Sequence, residues 1–119
     1  MKQLFIAFVL MVSTFGVAAA DEHPLASGEM IKEMIGGNTV QGSMADGTGY
    51  TEFYAEDGVI KGDGYTGAWR VDDNQMCFKY GDDPENCWSV GIKGDQVSWI
   101  KDGNTDGTGT IVPGNPNNF

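Results

Sequence analysis

Histidine is nearly missing from this chain, which has one, His23, in 119 residues. Ser-His-Asp triads and Cys-His mechanisms both need an imidazole beside a nucleophile, and a single His near the start of the chain argues against either. Cysteine is almost as scarce. Cys77 and Cys87 have no His near them and supply at most half of a tetrahedral zinc set. Basic residues number 7 against 17 acidic ones. A surface of that sign repels phosphate backbones and anionic lipid, which argues against nucleic acid and a membrane surface as partners. No stretch approaches the roughly 20 apolar residues of a membrane span, so no membrane anchor is expected. A phosphate-cradling loop is missing too, because Gly62-Asp63-Gly64 has the wrong charge and precedes no helix.

What is present begins at the amino end. Lys2 precedes an apolar run from Leu4 to Val12, and Ala18-Ala19-Ala20 supplies the small-x-small pattern that a signal peptidase accepts. Residues 1–20 are therefore expected to be a signal peptide, and residues 21–119 one small domain in the periplasm or the medium. No Cys follows the apolar run to take a lipid. Loss of Lys2 takes the formal charge from −10 to −11. That charge favours a monomer, with cations or a basic envelope protein as partners.

An exported pair of cysteines meets an oxidising compartment, so Cys77 and Cys87 are expected to form a disulfide. One segment reads as helix, Gly28 to Ile35: Ser27 caps it, Met30, Ile31, Met34 and Ile35 make one apolar stripe, and Gly36-Gly37 ends it. Short runs separated by Gly, Asp and Asn then predict strands at Thr39 to Met44, Tyr50 to Ala55, Gly58 to Lys61, Gly67 to Val71, Gln75 to Tyr80, Cys87 to Ile92, Gln96 to Lys101 and Gly107 to Val112. Trp69 and Val71, then Met76, Phe78 and Tyr80, then Trp88, Val90 and Ile92, then Val97 and Trp99 alternate with polar or small residues and should share one core. If Cys77 opposes Cys87, Met76 falls opposite Trp88 and Lys79 opposite Glu85. The fold class is mainly β: an antiparallel meander of about eight short strands curled into a small barrel, with one short N-terminal helix at its end. An open twisted sheet is the close alternative.

Chemistry-bearing residues are few. Asp102, Asn104 and Asp106, with Gly107 sixth, match the first half of a calcium loop, but Pro113 stands where a bidentate Glu is needed. Binding there would be weak, and a hairpin turn is the simpler reading. Cleavage after Ala20 would expose Asp21-Glu22-His23, whose α-amine, two amides and imidazole suit Cu(II) or Ni(II). No other cofactor is expected. Phe53 is grouped with the tryptophans, Phe78 and Tyr80 as barrel filling. Tyr50, Tyr54 and Tyr65 fall on strand ends or the other face and are candidates for a contact surface. Acid pairs such as Asp72-Asp73, Asp82-Asp83 and Glu56-Asp57 lie in predicted turns, leaving a small hydrolase using turn carboxylates as the alternative to a non-enzymatic binding module for a basic protein or small ligand.

The short helix before "GNTV", the strand "GAWRV", the disulfide-linked "MCFKY" and "CWSV", and the close "GTGTIVPGNP" resemble small exported proteins of unknown function from Gram-negative bacteria. The resemblance spans most of the mature chain and implies no activity. Some such chains carry a dihydrodipicolinate reductase label, which does not suit a chain without the Gly-rich dinucleotide fingerprint. In outline an acidic periplasmic barrel of eight strands is also similar to bacterial inhibitors of lysozyme, whose inhibitory motif has no match here.

Overall fold

Residues that accept positive φ decide where this chain reverses. Asp73 and Asn74 (φ 48° and 64°) form one two-residue turn, and Asp102 and Gly103 (51° and 79°) form another. Turns with both central residues left-handed match the natural twist of paired strands. In the computed structural model, which describes residues 23–119, these and similar turns join eight antiparallel strands. They are β1 (Asn38–Met44), β2 (Gly49–Tyr54), β3 (Val59–Gly62), β4 (Tyr65–Asp72), β5 (Gln75–Lys79), β6 (Asn86–Lys93), β7 (Gln96–Lys101) and β8 (Asn104–Val112). Each pairs with its sequence neighbour, and β8 pairs back onto β1, so the barrel is closed. The open-sheet alternative is thereby ruled out. Closure leaves no free edge along the ladder. The expected signal peptide, residues 1–20, lies outside the described residues, as do Asp21 and Glu22.

Helix α1 (Gly28–Ile35) covers one end. Ser27 Oγ accepts from Met30 N at 3.2 Å, and Gly37 at φ 77° turns the chain into β1. Ile31 and Ile35 are fully buried against the barrel. Asn74 Oδ1 accepts from Gly28 N at 2.7 Å, tying the helix start to the β4–β5 turn. Upstream, residues 24–26 extend the wall where β5 stops short: Ala26 N donates to Val90 O at 2.7 Å, and Ile92 N donates to Pro24 O at 3.0 Å. At the other terminus the tail folds back, with Thr39 Oγ1 donating to Gly114 O and Gly114 N to Asn38 Oδ1.

Inside and outside follow the period of two. Val40, Ile60, Trp69, Met76, Phe78, Val90, Ile92, Val97, Trp99 and Ile111 fill the interior with the helix isoleucines. Gln41, Ser43, Arg70, Asp72, Gln75 and Gln96 stand on the outer wall, the reverse of a barrel that faces lipid. Cys77 opposes Cys87 and Met76 opposes Trp88, as the register argument requires, and the two cysteines are joined. Lys79 does not meet Glu85, however. Its Nζ is taken by the carbonyls of Gly81 and Asp83 in the β5–β6 loop. Glu85 instead accepts two bonds from Arg70, at 2.6 and 2.9 Å, because Arg70 stands opposite Cys77 on the outer face.

Strand β2 corrects the sequence reading. Phe53 is on the outer wall, opposite Thr39 and Lys61, while Tyr50, Glu52 and Tyr54 point inward. Its apolar character groups Phe53 with the barrel-filling aromatics, but an acidic residue, Glu52, holds the inward phase of this strand and leaves Phe53 outside.

Candidate functional site

The strands bring their aromatic ends together at the mouth, the end of the barrel away from α1. Met44 closes β1, and Tyr50, Phe78, Trp88 and Trp99 stand one or two residues from the mouth ends of β2, β5, β6 and β7. With Glu52 and Tyr54 they line a cavity of about 70 Å³. Phe78 meets Trp88 and Trp99 edge-on, both with ring centroids 5.4 Å apart and planes at 74° and 88°. Each indole N–H has a partner: Trp88 donates to Asp106 Oδ2 at 3.0 Å, Trp99 to Tyr50 OH at 2.8 Å, and Trp69, below the cavity, to Ala55 O at 2.9 Å. Locked donors hold the rings in place.

Glu52 is the polar centre, with only 6% of its surface exposed. Burying a carboxylate is costly unless its oxygens are hydrogen-bonded. Three phenols do this. Tyr54 OH donates to Oε1 at 2.8 Å, Tyr65 OH to Oε2 at 2.8 Å, and Tyr80 OH lies 2.9 Å from both oxygens. The fourth tyrosine of the chain, Tyr50, stands beside this cluster, its OH accepting from Trp99 and donating to Thr108 O. Their environment keeps the phenols protonated. Burial raises Tyr54 well above the ordinary value, and the neighbouring Glu52 adds to it. Burial raises Tyr80 and Tyr65 likewise, each with help from Glu52. Tyr50 is pushed up to about 12, chiefly by burial and then by Glu52, against a lowering by the Trp99 hydrogen bond.

Glycines make this cluster possible. A Cβ on Gly62 would overlap the Tyr65 ring, one on Gly67 would lie 2.8 Å from Tyr80 Cδ1, and one on Gly109 would lie 2.5 Å from Tyr50 OH. The missing Cβ atoms thus leave room for the Tyr65 and Tyr80 rings and for the Tyr50 hydroxyl.

The site differs from the residues singled out in the sequence. Tyr54 is no contact residue: it is 1% exposed, in edge contact with Trp69 and Phe78, because it shares the inward phase of Glu52. Tyr50 also points inward and lines the cavity. Tyr65, 43% exposed, keeps one ring edge at the surface while its hydroxyl holds Glu52. Glu52 itself was missed, although the pattern Tyr50-x-Glu52-x-Tyr54 puts an acid between two phenols on one strand face.

The calcium-like segment is a tight turn followed directly by strand. Asp102 sits in the turn, Asn104 begins β8, and Asp106 is the extra residue at the β7–β8 bulge, its carboxylate directed at Trp88. Among the described residues the one trio of His, Cys, Asp or Glu ligand atoms close enough to share an ion is Cys77, Glu85 and Cys87, where both sulfurs are committed to the disulfide. Of the copper and nickel motif only His23 is described. Its Nδ1 lies 2.8 Å from Ser98 Oγ, and a Cβ on Gly91 would lie 2.8 Å from the His23 Cβ, so this side chain rests on the barrel wall.

Comparison with protein-family models, curated proteins and solved structures finds no match to this chain.

Proposed function

We propose that this protein is an exported, non-enzymatic binding module that holds a small ligand in the mouth of its barrel. The observation that carries this reading is the apolar cavity framed by Trp88, Trp99, Phe78, Tyr50 and Met44, with one clamped carboxylate in its wall. Ligand sites are concave, mostly apolar and equipped with a few fixed polar groups, and the mouths of barrels are a common place for them. At about 70 Å³ the cavity suits a small head group, since drug-sized ligands need roughly 300–1,000 Å³. The alternative, a small hydrolase using turn carboxylates, finds less support. Both oxygens of Glu52 already accept from phenols, which leaves neither oxygen turned to a substrate or a water for general acid–base work. Asp72 and Glu85 are tied to Arg70 on the outer wall.

Tryptophan emission reports on the site directly. The mature protein, cut after Ala20, is screened against small periplasmic solutes by fluorescence and thermal shift, in parallel with Met44→Trp, which fills the mouth. Ligands that stabilise the native protein and lose their effect in Met44→Trp are the expected result. Equal responses from both proteins would place binding elsewhere, and steady consumption of a ligand would replace the binding module with an enzyme.

A further inference from the structure

We infer that the mouth takes a methylated ammonium head group, resting on the reading of the mouth as a ligand pocket. Glu52 carries a charge that the protein leaves uncompensated. Among the described residues the ion pairs join Arg70 to Asp72 and to Glu85, both on the outer wall. Lys79 and Lys101 close β5 and β7 at the mouth, but Lys79 Nζ is held by the carbonyls of Gly81 and Asp83, and Lys101 Nζ lies 4.9 Å from the Trp88 ring centroid. Phenol hydroxyls satisfy the carboxylate oxygens as hydrogen-bond acceptors, but a neutral donor does not cancel a charge. In a poorly solvated cavity that charge favours a cation far more than it would in water.

The walls say which kind of cation. Phe78 stands at steep angles to Trp88 and to Trp99, and Tyr50 adds a fourth ring to the lining. Aromatic faces attract ammonium groups, and a box of them is the usual setting for methylated ones. A metal ion fits poorly, because calcium or magnesium needs several oxygen ligands and both Glu52 oxygens already accept from tyrosines. Methylated ammonium is weakly hydrated and needs none. The cavity, at about 70 Å³, exceeds the roughly 10–15 Å³ required by one water, so it has room for more than a single solvent molecule. The acidic surface, at −11 for the mature chain, raises the local concentration of any cation at the mouth.

Choline and its uncharged carbon isostere dimethylbutanol separate charge from shape. Titrated into the mature protein and followed by tryptophan emission, choline is expected to bind at least about tenfold more tightly than the isostere. Glu52→Gln, checked for native circular dichroism, is expected to remove most of that difference. Vesicles of phosphatidylcholine form a separate arm: a stronger response than free choline assigns the head group to a lipid, and a weaker one assigns it to a solute. Equal affinity for choline and dimethylbutanol would overturn the cationic inference while leaving a small-molecule pocket in place. No response to either would overturn it as well, and the pocket reading would then be decided by the Met44→Trp screen. If Glu52→Gln does not fold, the choline and isostere pair on the native protein still decides the matter.

Discussion

Glu52 and its three phenols form the one buried network of this barrel that combines charge with full satisfaction. Among the described residues no buried side-chain oxygen or nitrogen lacks a partner, so removing one member has a definite consequence. Tyr54→Phe deletes the fully buried donor to Oε1 while Tyr65 and Tyr80 still serve Glu52. The expected loss is about 1.5–3 kcal/mol, as for hydrogen bonds to charged groups, read from urea denaturation. A loss near zero would mean that Tyr80 compensates completely. Alkali tests the same cluster. A phenol whose folded value is raised contributes stability that is fully present below its unfolded value, near 10, and is lost as pH climbs toward the folded value. The unfolded chain then ionises while the folded one keeps its protons, so Tyr54 alone lowers stability by about 1.4 kcal/mol per pH unit above that point. Because all four tyrosines of the chain are raised, phenolate absorbance is expected to appear together with loss of the barrel. Gradual ionisation of an intact fold, seen by circular dichroism, would contradict this.

At the scale of elements, strands and turns follow their local chemistry closely. Helix α1 occupies the predicted span, and β7 the predicted residues Gln96–Lys101. The last strand starts at Asn104, three residues before the expected Gly107, because the turn needs only Asp102 and Gly103. The glycines inside strands were not legible as anything but breaks. Gly62 and Gly67 leave room for tyrosine rings that arrive from other positions, a requirement that no local window contains. Gly62→Ala is expected to displace Tyr65, shift its ring resonances and weaken its bond to Glu52, with strand β3 otherwise intact. Unchanged Tyr65 chemical shifts would show that the ring does not lie where the structure has it. The disulfide pins β5 to β6 across a sequence separation of 10. Replacing both cysteines with Ala is expected to cost about 2–3 kcal/mol by loop entropy while the aromatic core holds the fold, as measured by denaturation of the two proteins side by side.

For the whole molecule the dominant quantity is charge. Seventeen acids against seven bases leave a net repulsion across a small surface, and salt screens that repulsion within about 10 Å at 0.1 M. Thermal stability is therefore expected to rise between low and physiological ionic strength, and calorimetry at a series of sodium chloride concentrations reads it. A flat or falling profile would show that attractive pairs such as Arg70–Glu85 outweigh the general repulsion.

Much of this architecture needed only local chemistry. Turn residues that accept positive φ, a period of two in the apolar residues and a cysteine pair in matching register are properties of short windows, and they were enough for eight strands, one helix and the disulfide between Cys77 and Cys87. What required the tertiary structure was the phase of β2 and everything built on it. A glutamate between two tyrosines reads as a solvated face until closure of the barrel brings Tyr65 and Tyr80 from β4 and the end of β5 to its oxygens. The stability of a buried charge depends on donors far away in sequence, and only the closed barrel decides which donors those are.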